Sequence, residues 1–315
     1  MALPTTNLTF HCDSSDTDHI FTTYVAGGAD TGTPTDGSAV QAWDDDDGKN
    51  FRMVEVTNSP LWRSSTPLMQ LPCLDFDGTN DLMTSYAGDA GVGAAISNFF
   101  GVSAKTLLGS IYIEGIATND ATVYNNSGIF SDAGGYWGVF TKNPSGSNYE
   151  IHFYNYVAGV TSFAITGVSL NKSYVVVMRH NGTTMYGDLY DATGNVGTGS
   201  VSSGATASLA SNFQTGKSWT TTYYNGRIGE FALYNAELTG SNLTDAIDYF
   251  TDKWTPGGCV PDMGLLGVGR CGLPFIGLEW LRRRKNKIAR QERGIIKPKM
   301  IVSPEEYRRG NRRVA

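Results

Sequence analysis

The chain has 315 residues, with 24 Lys and Arg against 30 Asp and Glu, and a formal net charge of −6 at pH 7. The charge is unevenly distributed: residues 281–315 hold 13 of the basic and 3 of the acidic residues, a net of +10, which leaves −16 for residues 1–280. An acidic globular body with a basic tail indicates a module plus an anchor, in which the tail binds an acidic protein surface or nucleic acid.

Residues 1–255 are rich in Gly, Thr, Ser, Asn and Tyr and poor in long helical patterns. Short apolar runs separated by turn residues predict an all-β sandwich. The predicted strands are residues 7–12, 19–25, 73–76, 82–85, 106–116, 128–132, 136–142, 149–156, 161–165, 173–180, 184–190 and 227–234.

Two of these strands carry clear local signals. Residues 149–156 alternate, so that Ile151 and Phe153 share one face while His152 and Tyr154 share the other. The pair Asn181-Gly182, placed between residues 173–180 and 184–190, predicts a tight hairpin. Hairpins at this spacing are typical of an antiparallel sandwich.

One helix is predicted to close this region. It begins after Thr239 as the N-cap and ends before Pro256. Its apolar residues fall at i, i+3, i+4, i+7 and i+11, which forms a single stripe for packing on the sandwich. The stripe consists of Leu243, Ala246, Ile247, Phe250 and Trp254.

The sequence therefore divides into a sandwich at 1–255, a Gly-rich apolar connector at 256–280 and a basic tail at 281–315. Charged residues and a proline interrupt the apolar stretch 264–281, so we expect it to be buried against a partner rather than in a membrane. In the tail we predict a basic helix over 278–293 and a capped helix start at Ser303. The expected anchoring residues are Arg282, Arg283, Arg284, Lys285, Lys287, Arg290, Arg293, Arg308 and Arg309.

Three motifs in chain order carry a family resemblance. They are AWDDDDGKN (42–50), LDFDGTNDLM (74–83) and GRIGEFALYNAELT (226–239), the last leading into the predicted helix. Together they resemble the laminin-G-like, concanavalin A-like lectin and glucanase jelly rolls of bacterial and phage proteins. Two positions depart from the family pattern: Gly229 replaces an Asp, and Asn242 replaces an acidic residue at the helix start.

The resemblance implies an all-β fold, an antiparallel two-sheet jelly-roll sandwich with one closing helix, here extended by the basic C-terminal tail. It also implies that the second motif could hold calcium through Asp75, Asp77, Asn80 and Asp81, since calcium prefers several hard oxygen ligands on a flexible loop. The alternative is a structural turn in which Asp77 and Gly78 supply the hairpin. The acidic run 44–47 is expected to be a solvated loop.

Aromatic residues offer a second candidate site. Rings in loops could stack on the apolar faces of sugars, and Trp137, Trp219, Tyr223 and Tyr224 are the predicted glycan-binding residues. The alternative is that these rings pack within strands, as Tyr often does in β-sandwiches. Four other tyrosines could contribute: Tyr124, Tyr136, Tyr154 and Tyr156.

Catalysis is not expected. Glycosidases of this fold place two carboxylates on one strand face, and no such pattern occurs here. Glu114 and Glu230 are isolated on their predicted strands, and no His falls in a recognisable catalytic or metal-binding spacing. The cysteines, which show no CxxC spacing, are expected to be free buried thiols, with a Cys259–Cys271 bridge or a metal site as alternatives.

A sandwich of sugar-binding type without an expected export signal indicates a bacteriophage structural protein, made in the host cytoplasm and assembled into the virion. In this interpretation the tail binds acidic capsid, portal or tail proteins, and the sandwich faces host-surface glycans, with several copies in the particle. Nucleic acid is the alternative partner of the tail. The alternatives for the whole chain are a free glycan-binding lectin and a glycoside-active enzyme with an unrecognised site.

Overall fold

In a computed structural model of the chain, the described residues fold into antiparallel β-structure closed by one α-helix. They are residues 2–26, 29–45, 51–65, 71–85, 99, 102–116, 120–134, 136–156, 159–204, 212–220 and 222–255. The connector, the basic tail with its two predicted helix starts, and all nine predicted anchoring residues lie outside these ranges.

The strands and the helix follow one another along the chain, with short 3-10 turns at Thr17–His19 and Val123–Asn125. The elements are β1 (Leu8–Asp13), β2 (Ile20–Phe21), β3 (Ala42–Asp44), β4 (Arg52–Val54), β5 (Leu61–Arg63), β6 (Cys73–Asp77), β7 (Met83–Ser85), β8 (Ala104–Gly115), β9 (Ser127–Asp132), β10 (Trp137–Lys142), β11 (Tyr149–Tyr156), β12 (Val160–Val168), β13 (Lys172–Asn181), β14 (Thr184–Asp191), β15 (Gly194–Ser202), β16 (Phe213–Thr215), β17 (Asn225–Tyr234) and α1 (Gly240–Trp254).

The strands form two sheets. Sheet A has eight strands in the order β15-β14-β13-β8-β17-β6-β5, with β1 added against β17. Sheet B has nine strands in the order β12-β11-β10-β9-β16-β7-β4-β3-β2. Neighbours that are distant in sequence, such as β8 with β17 and β9 with β16, are typical of a jelly roll, so the predicted two-sheet sandwich is confirmed.

The core lies between the inner faces of the two sheets. Phe231 of sheet A contacts Phe130 of sheet B with ring centroids 5.5 Å apart. At Gly109 and Gly187 of sheet A, an added Cβ would come within 2.6 Å of Phe130 and Phe153, so these glycines make room for the rings of the facing sheet. The two inner faces therefore interdigitate, as close-packed sandwich cores do.

The predicted helix is confirmed, and it covers the outer face of sheet A. Thr239 is its N-cap, as predicted, although the Thr239 side chain makes no capping hydrogen bond. Ala246, Phe250 and Trp254 are fully buried. They belong to a second apolar cluster with strand residues that include Leu108, Tyr112, Val175, Val177 and Ala232.

The predicted strands are confirmed with shifts of a few residues at their ends, except in two respects. Only Ile20–Phe21 of the predicted strand 19–25 forms a strand, because a 3-10 turn precedes it and beyond it only Thr23 pairs, in an isolated bridge with Thr31. The sequence pattern also missed β3, β4, β5, β15 and β16. Four of these are three-residue strands, too short to show alternation.

The predicted hairpin is present between β13 and β14. Gly182 adopts a positive φ of 100°, a conformation that glycine reaches at low cost. The Asn181 side chain accepts hydrogen bonds from the backbone N–H groups of Thr183 and Thr184, both at 2.9 Å. Within the ranges given above, no helix has the length and apolar character needed to cross a membrane.

Candidate functional site

The outer face of sheet B carries a small apolar cluster of its own. Phe140 of β10 and Tyr154 of β11 point away from the main core and are fully buried under a loop that contributes Val123. Tyr124 packs partly buried against the same cluster. The outer face of an antiparallel sheet is usually polar and solvated, so an apolar cluster covered by a loop sets this part of sheet B apart.

Five rings continue from this cluster to the surface, and we call them the aromatic strip: Tyr124, Tyr136, Tyr154, Tyr156 and Trp219. The Trp219 ring meets Tyr124 edge-on at 5.7 Å, and Tyr124 meets Tyr154 at 5.5 Å. Tyr156, two residues beyond Tyr154 on the same face of β11, meets Tyr136 edge-on at 5.5 Å. Trp219 is 54% exposed and Tyr156 36% exposed, so the strip presents ring surface to solvent.

The loop that carries Trp219 is held down on β9. The carbonyl of Lys217 accepts hydrogen bonds from the Ser131 hydroxyl at 2.9 Å and from the Gln214 amide at 3.1 Å. The Lys217 backbone lies so close to Gly128 that an added Cβ would come within 2.6 Å of it. The Thr222 hydroxyl donates to the carbonyl of Asn125 at 2.5 Å, which joins this loop to the loop that carries Tyr124.

The Tyr124 loop is fixed by one buried amide. The Asn126 side chain donates to the backbone carbonyls of Asp120, Thr122 and Val123 at 3.1–3.2 Å and accepts from the N–H of Asp120 at 2.9 Å. The described parts of both loops are therefore held by hydrogen bonds within the chain, and a preordered surface loses less conformational entropy on binding.

Tyr154 lies at the centre of the strip with its hydroxyl buried. This hydroxyl has no hydrogen-bond partner among the described residues. Burial raises the pKa of Tyr154, and the neighbouring hydroxyl of Tyr124 and carboxylate of Asp132 raise it further. The phenol therefore stays neutral, and because its ring and hydroxyl are both buried, Tyr154 supports the outer rings of the strip from below.

The four predicted glycan-binding residues are placed differently from one another. Trp219 is on the aromatic strip, whereas Trp137 and Tyr224 are fully buried in the main core, where neither ring can stack on a ligand. Tyr224 also donates its hydroxyl to the carbonyl of Tyr112 at 2.9 Å, which fixes it as a core residue. Tyr223 is half-buried, with the Lys217 ammonium 5.7 Å from its ring centroid.

Of the four predicted calcium ligands, Asp77, Asn80 and Asp81 share one hydrogen-bonded turn, and Asp75 lies outside it. Asp75 points to the outer face of sheet A, where it accepts from Arg63 Nε at 2.7 Å and Arg227 Nε at 3.3 Å. Asp77 instead accepts the backbone N–H groups of Thr79 at 2.7 Å and Asn80 at 3.1 Å. This is the structural-turn alternative, and Gly78 takes the required positive φ of 74°.

Asp81 closes that turn. It accepts the backbone N–H of Asp77 at 2.9 Å. Burial raises the pKa of Asp81 to about 6, although the hydrogen bond from Asp77 acts in the opposite direction. Across the described part of the chain, no group of three or more His, Cys, Asp or Glu residues is placed to hold a metal ion.

The first motif is more ordered than the expected solvated loop. Asp44 pairs with Arg52 at 3.4 Å, and the buried Asp45 accepts the backbone N–H of His11 at 2.9 Å. The prediction of a solvated loop is therefore wrong for these two residues, because both carboxylates are needed to satisfy neighbouring strands. Asp46 and Asp47 lie outside the described ranges.

The third motif supplies a buried carboxylate beneath the helix. Glu230 accepts from Lys253 Nζ at 2.6 Å and from Trp254 Nε1 at 2.5 Å, and its other oxygen contacts His11 Nε2 at 2.5 Å. Burial alone would raise the pKa of Glu230, but Lys253 and His11 outweigh it and lower the pKa to about 2. Gly229 departs from the family pattern because an added Cβ would come within 2.6 Å of the Trp254 ring.

Of the four cysteines, Cys12 and Cys73 are described, and both are buried free thiols as predicted. Burial raises the pKa of the Cys73 thiol to about 12, so it stays protonated and unreactive. Cys259 and Cys271, with the bridge proposed between them, lie beyond the described residues.

No protein-family model matches the chain, and no curated protein matches it in sequence. Solved structures are similar in fold. Domain 4 of an extracellular arabinanase from Geobacillus stearothermophilus, in complex with arabinotriose, is 11% identical over 76% of this chain and 98% of that domain, with a TM-score of 0.48. Trypanosoma rangeli sialidase is 15% identical over 80% of this chain, with a TM-score of 0.48.

A third similar structure is the binding domain of Paraclostridial Mosquitocidal Protein 1, 12% identical over 78% of this chain with a TM-score of 0.47. The chain spans 33% of the sialidase and 53% of the mosquitocidal binding domain. The expectation that this chain is not an enzyme is corrected by these comparisons, since a sialidase and an arabinanase domain are among the similar folds. Similarity at this level is a similarity of fold and assigns no reaction.

Proposed function

We propose that this chain is a lectin-like, glycan-binding sandwich of the laminin-G-like type that serves as a bacteriophage structural protein. The observation that carries the binding part is the aromatic strip. Its exposed Trp219 ring is buttressed by Tyr124 and held on two hydrogen-bonded loops. Aromatic rings fixed in this way stack on the apolar faces of pyranose sugars, and rigid rings do so at low entropic cost.

The binding part is tested with the full-length chain on a glycan array, followed by calorimetry on each glycan that binds. Trp219→Ala should weaken binding by about tenfold or more, since exposed central aromatic residues dominate such interfaces. Tyr186→Ala is the matched control, because Tyr186 is a half-buried tyrosine on the outer face of sheet A. Equal losses in the two variants, or no glycan bound at all, would refute the proposal.

The virion part is supported by the charge distribution. Residues 281–315 carry a net charge of +10 against −16 for the rest of the chain. Such a tail is attracted to an acidic partner surface, and the attraction weakens as salt screens it. Apolar residues within the tail, among them Ile295, Ile296 and Ile301, favour a protein groove over the phosphates of DNA.

A mass-spectrometric inventory of purified phage particles from the source tests this part. We expect the full chain in the particles, released by high salt, and a variant lacking 281–315 absent from them. Absence of the full chain from particles washed at low salt would contradict the proposal. Tight DNA binding by the full chain with a steep salt dependence, and no affinity for virion proteins, would replace it with genome contact.

A further inference from the structure

Cations lie over many of the tyrosine rings that are not on the aromatic strip. Arg179 lies over Tyr186 with its guanidinium carbon 4.9 Å from the ring centroid, and other rings have a Lys or Arg within 5.7 Å. Cation–π contacts of this kind are favourable at partly exposed sites. The other pairs are Lys172–Tyr174, Lys217–Tyr223, Arg227–Tyr112 and Lys253–Tyr249.

The five rings of the aromatic strip differ from these. Among the described residues, none of them has a Lys or Arg side chain over its face. The lysine on the Trp219 loop, Lys217, is engaged with Tyr223. On the sheet itself, Lys142 lies opposite Glu150, whose carboxylate contacts His152 Nε2 at 2.8 Å.

The electrostatic surroundings of the strip point the same way. Burial, three other tyrosines and the Asp132 carboxylate all raise the pKa of the central tyrosine, Tyr154. The surroundings of this ring therefore disfavour negative charge. Residues 1–280 also carry a net charge of −16, which disfavours the approach of anions over a longer range.

We infer that the aromatic strip selects glycans without acidic groups, that is, pyranosides that lack sialic acid, uronic acid, sulfate or phosphate at the stacked position. The inference rests on the proposed glycan binding and adds its chemical class. Recognition of a sugar carboxylate requires a positioned cation, usually an Arg that makes two parallel hydrogen bonds. The exposed and half-buried members of the strip offer ring faces and phenol hydroxyls, which suit the C–H faces and hydroxyl groups of uncharged sugars; these members are Tyr124, Tyr136, Tyr156 and Trp219.

The test is a glycan array that carries matched pairs, each backbone with and without its terminal sialic acid, uronic acid or sulfate, probed with the full chain at low and high salt. At low salt, each neutral glycan should bind at least about tenfold more tightly than its acidic partner. High salt should reduce this ratio of affinities, because salt screens the repulsion of the acidic group. Trp219→Ala should weaken the binding of both members by about tenfold or more.

A gain of charge provides a second, independent readout. Ser162→Lys places a cation directly opposite Tyr154 on the neighbouring strand, and it should raise the affinity for acidic members. Ser200→Lys, exposed on β15 of sheet A, is the matched control and should leave the ratio unchanged. The melting temperature of each variant checks that it is folded.

The outcomes separate the inference from the proposed function. Equal or tighter Trp219-dependent binding of the acidic members by the wild-type chain would overturn the selectivity and leave glycan binding intact. An unchanged ratio in the folded Ser162→Lys variant would also overturn it. Absence of any Trp219-dependent binding would overturn the proposed function itself.

Discussion

Replacing Glu230 by Gln removes the buried negative charge that binds the C-terminal turns of α1. The carboxylate receives Lys253 and Trp254 on one oxygen, and Tyr249 and His11 contact the other. Gln keeps the shape of the side chain, but it leaves the buried ammonium of Lys253 without one of its two carboxylates. Removing one partner of a buried ion pair costs about 3–5 kcal/mol, because the remaining charge is uncompensated.

The pKa of Glu230 gives a second route to the same magnitude. It lies at about 2 instead of its ordinary 4.5. A depression of this size corresponds to roughly 3 kcal/mol of stabilisation of the folded state. Because the pKa is depressed, the stabilisation is complete above about pH 4.5 and is lost as the pH falls toward 2. The difference between wild type and Glu230→Gln should shrink over this window.

Urea denaturation at a series of pH values between 7 and 2 measures both effects. Glu237→Gln is the control, since Glu237 makes a partly exposed pair with Arg179 at 3.3 Å and its loss should cost about 1 kcal/mol or less. A cost below about 1 kcal/mol for Glu230→Gln at pH 7, or a cost that does not change with pH, would refute the assignment of Glu230 as the charge that fixes the helix.

Three further predictions concern stability. Phe250→Ala should cost about 3–5 kcal/mol in urea denaturation, because the ring is fully buried beneath the helix, and a cost under about 1 kcal/mol would make the helix peripheral. Gly229→Ala should lower the melting temperature, because the new methyl group displaces the Trp254 ring, and an unchanged melting temperature would contradict this. Chelation should leave the melting temperature of the wild type and of the double variant Asp77→Asn, Asp81→Asn unchanged, and a chelator-dependent fall in the wild type alone would restore the calcium site.

Alternation predicted the long strands well because one face of each is in the core. Strand β15 was missed for the opposite reason, since its sequence shows glycine where a core strand would show an apolar side chain. Gly197 and Gly199 lie where Ile165 and Phe163 of sheet B approach, and an added Cβ would come within 2.6 Å of either side chain. The apolar side chains at these two contacts come from sheet B, so β15 shows no alternation of apolar and polar residues there.

The candidate site was partly predictable on the same grounds. Alternation along β11 places Tyr154 and Tyr156 on the outer face, as observed. The same rule, applied to β10, puts Trp137 on the inner face with Val139, a signal against a surface role for this residue. The contact of Trp219 with Tyr124 joins two loops that are distant in sequence, and no local pattern reports it.

The helix and the aromatic strip lie on opposite outer faces of the sandwich. Strand β1 pairs with β17, the carbonyl of Pro4 accepts from the Tyr234 hydroxyl at 3.0 Å, and Asp13 contacts Lys253 near the end of α1, so the first and last elements both lie on the sheet A side. A domain immobilised from that side turns its strip outward. In the function proposed above, copies arrayed on a common surface would present parallel strips, and weak single contacts to a glycosylated surface would add up through avidity.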